Sequence, residues 1–154
     1  LPALAARLQG AQWVLADTGA GAPTRAAIDR ARERRMAMDE TTYGRWRHTV
    51  DTAALRAAQA LETGDFDELA ASLQAAGEAL EPLDICNDAM RIALRTLLRG
   101  GASAVKPTGA GLGGVVVALA RDAERAAQLA RDVARAGLAA HIFPLVESGA
   151  DDRV

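Results

Sequence analysis

Three features of the chain predict an α+β domain. Four short apolar runs, at 13–16, 102–105, 115–119 and 140–146, have the length and composition of strands. Five longer segments carry helical spacing or helix-boundary residues, giving the order β-α-α-α-α-β-β-α-β. Four helices in a row and two adjacent strands do not alternate as a doubly wound parallel sheet must. With 154 residues the chain has the length of one domain, able to bury about 68–70% of its unfolded surface without staples.

Each element has its own signals. Residues 1–10 hold a few leucines, end at Gly10 and form a lead-in to a domain spanning 11–146. Trp13, Val14, Leu15 and Ala16 lie between Gly10 and the Gly19/Gly21 loop and suit a buried strand. Pro23 and Thr24 supply helix-start chemistry for an Arg-dense helix continuing from Ala26 to Met38. Val50, Ala54, Leu55, Ala58 and Leu61 recur at helical spacing in the second helix, which Gly64 ends. Asp65 is the N-cap of the third, with Glu68 completing a capping box and Leu69, Leu73, Ala76 and Leu80 along one face before Pro82. Asn87 or Asp88 caps the fourth, which runs through Ile92, Leu94, Leu97 and Leu98 to Gly100 and Gly101. The last helix, Asp122 to Ala136, turns Ala126, Leu129, Ala130, Val133 and Ala134 inward, and a polar tail, 147–154, is expected to be disordered.

Composition removes several function classes. A net charge of -2 excludes a basic nucleic-acid footprint. With aromatics at 3%, the core must be close-packed Leu, Val and Ala. The single Cys86 can form no internal disulfide, and with His48 and His141 it offers no metal-ligand spacing, which points to a reducing, intracellular setting. No run approaches the roughly 18 apolar residues of a membrane helix, so a cytoplasmic protein is expected, without a membrane partner. The chain opens on Leu1 rather than Met, which suggests a processed chain or a piece of a longer one. Of its 18 basic residues all but Lys106 are arginine. The Arg-rich stretch 30–35 reads as a solvated helix face paired with Glu33 and its neighbours, and His48 as a surface residue.

The loop 107–114 carries Gly109, Gly111 and Gly114 in the pattern G-x-G-x-x-G. A dinucleotide fingerprint needs a helix after the loop, and here a Val-rich strand follows. A protein-kinase glycine loop does lie between strands, yet no Val-Ala-Ile-Lys, His-Arg-Asp or Asp-Phe-Gly follows. No Lys-Ser or Lys-Thr follows the glycines as a P-loop requires. Two readings remain: a tight hairpin connection, or a backbone that approaches another group closely and presents N–H donors to an anion.

Two segments together resemble the C-terminal half of the GHMP small-molecule kinases, most closely the mevalonate kinases. Val14-Leu-Ala-Asp-Thr-Gly-Ala-Gly-Ala-Pro-Thr-Arg25 resembles the opening strand, turn and helix of that domain, and Val105-Lys-Pro-Thr-Gly-Ala-Gly-Leu-Gly-Gly114 resembles the family's third conserved motif. The resemblance implies a ferredoxin-like, four-stranded antiparallel sheet covered by helices. It also implies a parent enzyme that transfers the γ-phosphoryl group of ATP to the 5-hydroxyl of mevalonate, with Mg²⁺. The family's phosphate loop, Pro-x-x-x-Gly-Leu-Gly-Ser-Ser-Ala, and its catalytic Asp and Lys belong to the N-terminal half and do not occur in this sequence. The chain alone is therefore expected to be inactive, with no catalytic or metal-ligating residue of its own and with ATP and Mg²⁺ held mainly by an N-terminal domain. That domain and a small-molecule substrate, mevalonate or similar, are the implied partners; a homodimer stays open.

Carried over by position, Thr108, Gly109, Ala110, Gly111, Gly113 and Gly114 would close the nucleotide side of the cleft. Lys106 would bring an ammonium to a phosphate or to the substrate carboxylate, or else is a solvated surface lysine. Thr18, at the end of the first strand, would face the substrate or is a plain turn residue. Arg25, in a first helical turn where the dipole disfavours a cation, would be favoured by a nearby anionic substrate group. Asp17 is read as a cap of its loop rather than a metal ligand, and Cys86 as a small residue at a helix start. The stretch 76–86 lacks the Asn-His and Gly-Val-Ser signals usual in mevalonate kinases. Phosphomevalonate kinase, homoserine kinase and a non-catalytic ferredoxin-like ligand-binding module are therefore the alternatives.

Overall fold

The computed structural model describes residues 8–19 and 21–145; most of the lead-in, Val146 and the expected tail 147–154 lie outside them. The elements are β1 (Gln12–Asp17), α1 (Thr24–Met36), α2 (Glu40–Thr63), α3 (Phe66–Glu78), a 3-10 turn (Glu81–Leu83), α4 (Asp88–Arg99), β2 (Ala104–Thr108), β3 (Val115–Ala120), α5 (Ala123–Arg135) and β4 (Ala139–Pro144). Their order is the predicted one. The strands form a single sheet in the order β2-β3-β1-β4, every neighbouring pair antiparallel. β1 and β2 consequently run parallel with β3 between them, and β3 and β4 run parallel with β1 between them. Two split βαβ units interleaved in this way make the ferredoxin-like arrangement.

Alternation along the strands sorts the sheet into two faces. On one, Val14, Ala16, Val105, Val116, Ala118 and Ala120 meet Met90, Ala93 and Leu97 of α4 and Ala126, Leu129 and Val133 of α5. On the other, Trp13, Leu119 and Ala104 share a row across β1, β3 and β2 and meet Phe66, Leu69, Ala70 and Leu73 of α3, together with Ala57 and Ala60 of α2. The next two rows on this second face are Lys106, Val117, Leu15 and His141, then Thr108, Val115, Asp17 and Ala139. These are half-buried or exposed. On the first face α4 and α5 cover β1, β2 and β3, while Ile142 of the edge strand β4, beside Val14, is 42% exposed; the second face opens toward the ends of β1 and β2.

Several local expectations are corrected. In α2 the buried residues are Ala53 and Ala60, whereas Leu55 is 74% exposed and Leu61 41%, with Ala54 and Ala58 exposed as well. Two apolar stripes run along this helix, and the all-alanine one lets the helix axes approach closely. Ala134 of α5 is exposed, and Leu80 lies beyond the end of α3. The capping box at Asp65 is half formed. Asp65 accepts the Glu68 N–H at 3.0 Å, but its own N–H donates to the Ala60 carbonyl at 2.9 Å, leaving no donor for the Glu68 carboxylate, which accepts from Ser72. The edge strand β2 extends through Pro107, which has no N–H to offer the ladder and is tolerated at an edge. Gln74 of α3 accepts the Val105 N–H at 3.2 Å along the same edge.

Candidate functional site

The loop between β2 and β3 is built almost entirely from left-handed backbone. Gly109, Gly111, Leu112, Gly113 and Gly114 have φ of 78°, 91°, 57°, 126° and 95°. Leu112 takes this region at a cost of about 1–3 kcal/mol, which its surroundings must offset. They do so directly: its N–H donates to the Ile85 carbonyl and its carbonyl accepts the Ala22 N–H at 3.0 Å. The Gly113 N–H points at Met90 Sδ, 3.1 Å away. At Gly111 a Cβ would stand 2.7 Å from both the Cβ and the carbonyl oxygen of Ile85, so this approach exists because there is no side chain. Leu112 and Gly113 therefore turn their N–H groups inward, while Gly109 is exposed and the Ala110 N–H has no hydrogen-bond partner among the described residues.

The first candidate segment is knitted to this loop. The N–H and the hydroxyl of Thr18 both donate to the Gly114 carbonyl, at 2.8 and 2.7 Å. A Cβ on Gly21 would lie 3.3 Å from the carbonyl carbon of Gly113. Asp17 accepts the Gly19 N–H at 2.8 Å and so caps its own turn. Lys106 and Thr108 stand two residues apart on the second face of β2; Thr108 is exposed, Lys106 is half-buried with Gly77 of α3 packed against its base, and Lys106 makes no ion pair among the described residues. Arg25 stands apart from the others: its side chain is 93% exposed and its partner is Asp29, at 3.9 Å.

Sequence reasoning misses the support behind the loop. The Arg-rich stretch of α1 is not simply a solvated face, because Arg30 and Arg34, four apart and so on one side of the helix, donate to the Asp84 carboxylate at 2.8 and 2.7 Å. Arg91 of α4 donates to the other oxygen of Asp84 at 3.0 Å. Two arginines at helical spacing were a signal for a shared carboxylate, but the partner lies 54 and 50 residues away. The Arg34 hydrogen bond, with the charge of Arg30 and the Arg91 hydrogen bond, holds the Asp84 carboxyl below the usual 3.8. A depressed value stabilises the folded state fully above the unfolded pKa and loses that effect as pH falls through the folded one. Wild type and Asp84→Asn are accordingly expected to differ in urea midpoint at pH 7 and to converge well below pH 3.8. Cys86, next to this cluster, is half-buried and packs against the main core, and burial pushes its thiol above the usual 9.0.

Among the described residues no three His, Cys, Asp or Glu side chains converge, and Asp17 already serves Gly19. No helix among them is long and apolar enough to cross a membrane.

Residues 57–139, just over half the chain, match the family model described as GHMP kinases C terminal. No curated protein matches the chain. Among solved structures it is similar to L. major mevalonate kinase in complex with R-mevalonate, with a TM-score of 0.77 and 19% identity over 89% of this chain and 44% of that one. Mevalonate kinase from Staphylococcus aureus MRSA252 gives 0.65 and 25%, over 90% and 43%. Streptococcus pneumoniae phosphomevalonate kinase in complex with phosphomevalonate and AMPPNP gives 0.69 and 19%, over 86% and 40%. The chain spans less than half the length of each of these structures.

Proposed function

The chain belongs to the GHMP kinases as a C-terminal domain, and from that premise we propose that it forms one wall of a phosphoryl-transfer cleft completed by an N-terminal domain. The reaction assigned to the complete protein is transfer of the ATP γ-phosphoryl group to the 5-hydroxyl of mevalonate. The observation that carries this reading is the left-handed glycine loop 109–114, tied through Thr18 and Ala22 to the first segment at the open end of the sheet. Because phosphoryl transfer depends on positioning and on stabilising charge over the equatorial oxygens, a fixed loop whose Ala110 N–H has no hydrogen-bond partner among the described residues suits it.

The residues take distinct parts in this reading. Gly109, Ala110 and Gly111 hold the backbone close enough to meet phosphate oxygens, with the Thr108 hydroxyl beside them. Gly113 and Gly114 anchor the loop to Met90 and Thr18. Lys106, on the same open face, brings the chain's single ammonium to a phosphate or to the substrate carboxylate. Thr18 acts by holding the loop, and Arg25 reaches for an anionic group of the substrate from the first turn of α1. When bound, ATP supplies the phosphoryl group. Among the described residues no three acidic, His or Cys side chains converge, and in this reading the Mg²⁺ ligands come from the N-terminal domain and the nucleotide.

Calorimetric titration of this chain with ATP and with mevalonate tests the reading. One wall of a cleft should bind each with a Kd above about 1 mM. Micromolar binding of either by the chain alone would favour the self-contained ligand-binding module instead. In the complete protein Lys106→Ala is expected to lower kcat about 100-fold, the typical effect of removing one charge-stabilising donor, with little change in Tm. Unchanged steady-state kinetics would return Lys106 to the solvated surface.

The Asp-Thr-Gly segment at 17–19 favours mevalonate, whereas the altered stretch 76–86 favours a different GHMP acceptor such as phosphomevalonate or homoserine.

A further inference from the structure

Helix α1 carries Arg25, yet little apolar surface holds it in place. Ala27 is its one buried residue among those described, and its main packing partner is the 3-10 turn. At its end Arg35 lies 3.6 Å over the Tyr43 ring. Along its middle the attachment is ionic, through Arg30 and Arg34 to Asp84. Asp84 also receives Arg91 from α4, and with φ 51° it holds the left-handed conformation that Asp tolerates better than most side chains. The next residue, Ile85, gives its carbonyl to the Leu112 N–H and packs against Gly111. A side chain tied to two helices is thus followed at once by a backbone tied to the glycine loop.

We propose that Asp84 is a positioning residue: with Arg30, Arg34 and Arg91 it fixes α1 relative to the glycine loop and keeps Leu112 in its left-handed conformation. Its importance for phosphoryl transfer rests on the kinase reading above. The coupling itself is a property of this chain and can be read without activity.

The test is amide hydrogen exchange, followed by NMR, on the whole chain and its Asp84→Asn and Asp84→Gly variants. Asn keeps the shape and removes the charge. Gly removes the carboxylate while relieving backbone strain at a positive φ, which protects this variant against misfolding. In both, the Leu112 and Gly113 amides should exchange at least about tenfold faster and the α1 amides lose protection, while those of Leu129 and Val133 in α5 stay as they are. Loosening of α1 with unchanged Leu112 and Gly113 amides would overturn the proposal, because Asp84 would then staple a helix and nothing more. If the complete protein phosphorylates no acceptor, the kinase reading fails, but the exchange rates still decide the role of Asp84.

Discussion

Gly111→Ala is expected to destabilise the domain by about 2–6 kcal/mol, read as a lower urea midpoint at unchanged m-value. Two effects add. At φ 91° a side chain is strained by about 1–3 kcal/mol. The new Cβ would also stand 2.7 Å from Ile85, where backbone rather than a flexible side chain must give way, costing about another 1–3 kcal/mol. Gly109→Ala separates the two contributions, since Gly109 has φ 78° but nothing within 4 Å of an added Cβ. It should lose only the strain contribution. Equal losses at both positions would mean that the approach of the loop to Ile85 is not what requires glycine at 111.

Met90→Ala is expected to cost about 2–5 kcal/mol, the range for truncating a fully buried side chain. Met90 lies in the main core with Leu97, Leu129 and Val116, and its sulfur also receives the Gly113 N–H. Met90→Leu distinguishes those roles. Near-equal volume keeps the packing loss under about 1.5 kcal/mol, while the sulfur acceptor disappears. Thermal unfolding should therefore report a large loss for Ala and a small one for Leu, with the Gly113 amide exchanging faster in both. A protected Gly113 amide in Met90→Leu would show that the sulfur contact does not hold the loop.

What could be read from the sequence follows from how local each determinant is. The strands, their order along the chain and the Asp65, Asn87 and Asp122 ends of helices rest on signals within a few residues, and these three caps accept the N–H three positions on. The glycine loop was legible because the spacing of 109, 111 and 114 between two strands excludes other glycine motifs. The supports of the loop were not. Thr18 meets Gly114 across 96 residues, and Gly113 meets Met90 across 23. Periodicity could not choose between the two stripes of α2, because Leu55 and Leu61 look like better core residues than Ala53 and Ala60 until α3 is seen to need close approach. Asp84 carried no local pattern at all, and its arginines come from two different helices.

Of the two segments that resemble the GHMP kinases, the family match over 57–139 covers the second. The first segment lies outside that match and is joined to the second by the fold, through Thr18 and Ala22.

The central claim, that this domain serves phosphoryl transfer to a small alcohol, is tested most directly by a coupled ADP-release assay on the complete protein. Mevalonate, phosphomevalonate, homoserine and galactose would each be supplied with ATP. ADP release dependent on mevalonate is expected, with loss of most of that activity in Lys106→Ala. Release with phosphomevalonate or homoserine instead would keep the reaction and change the acceptor, whereas no acceptor-dependent ADP from any of the four would overturn the kinase reading.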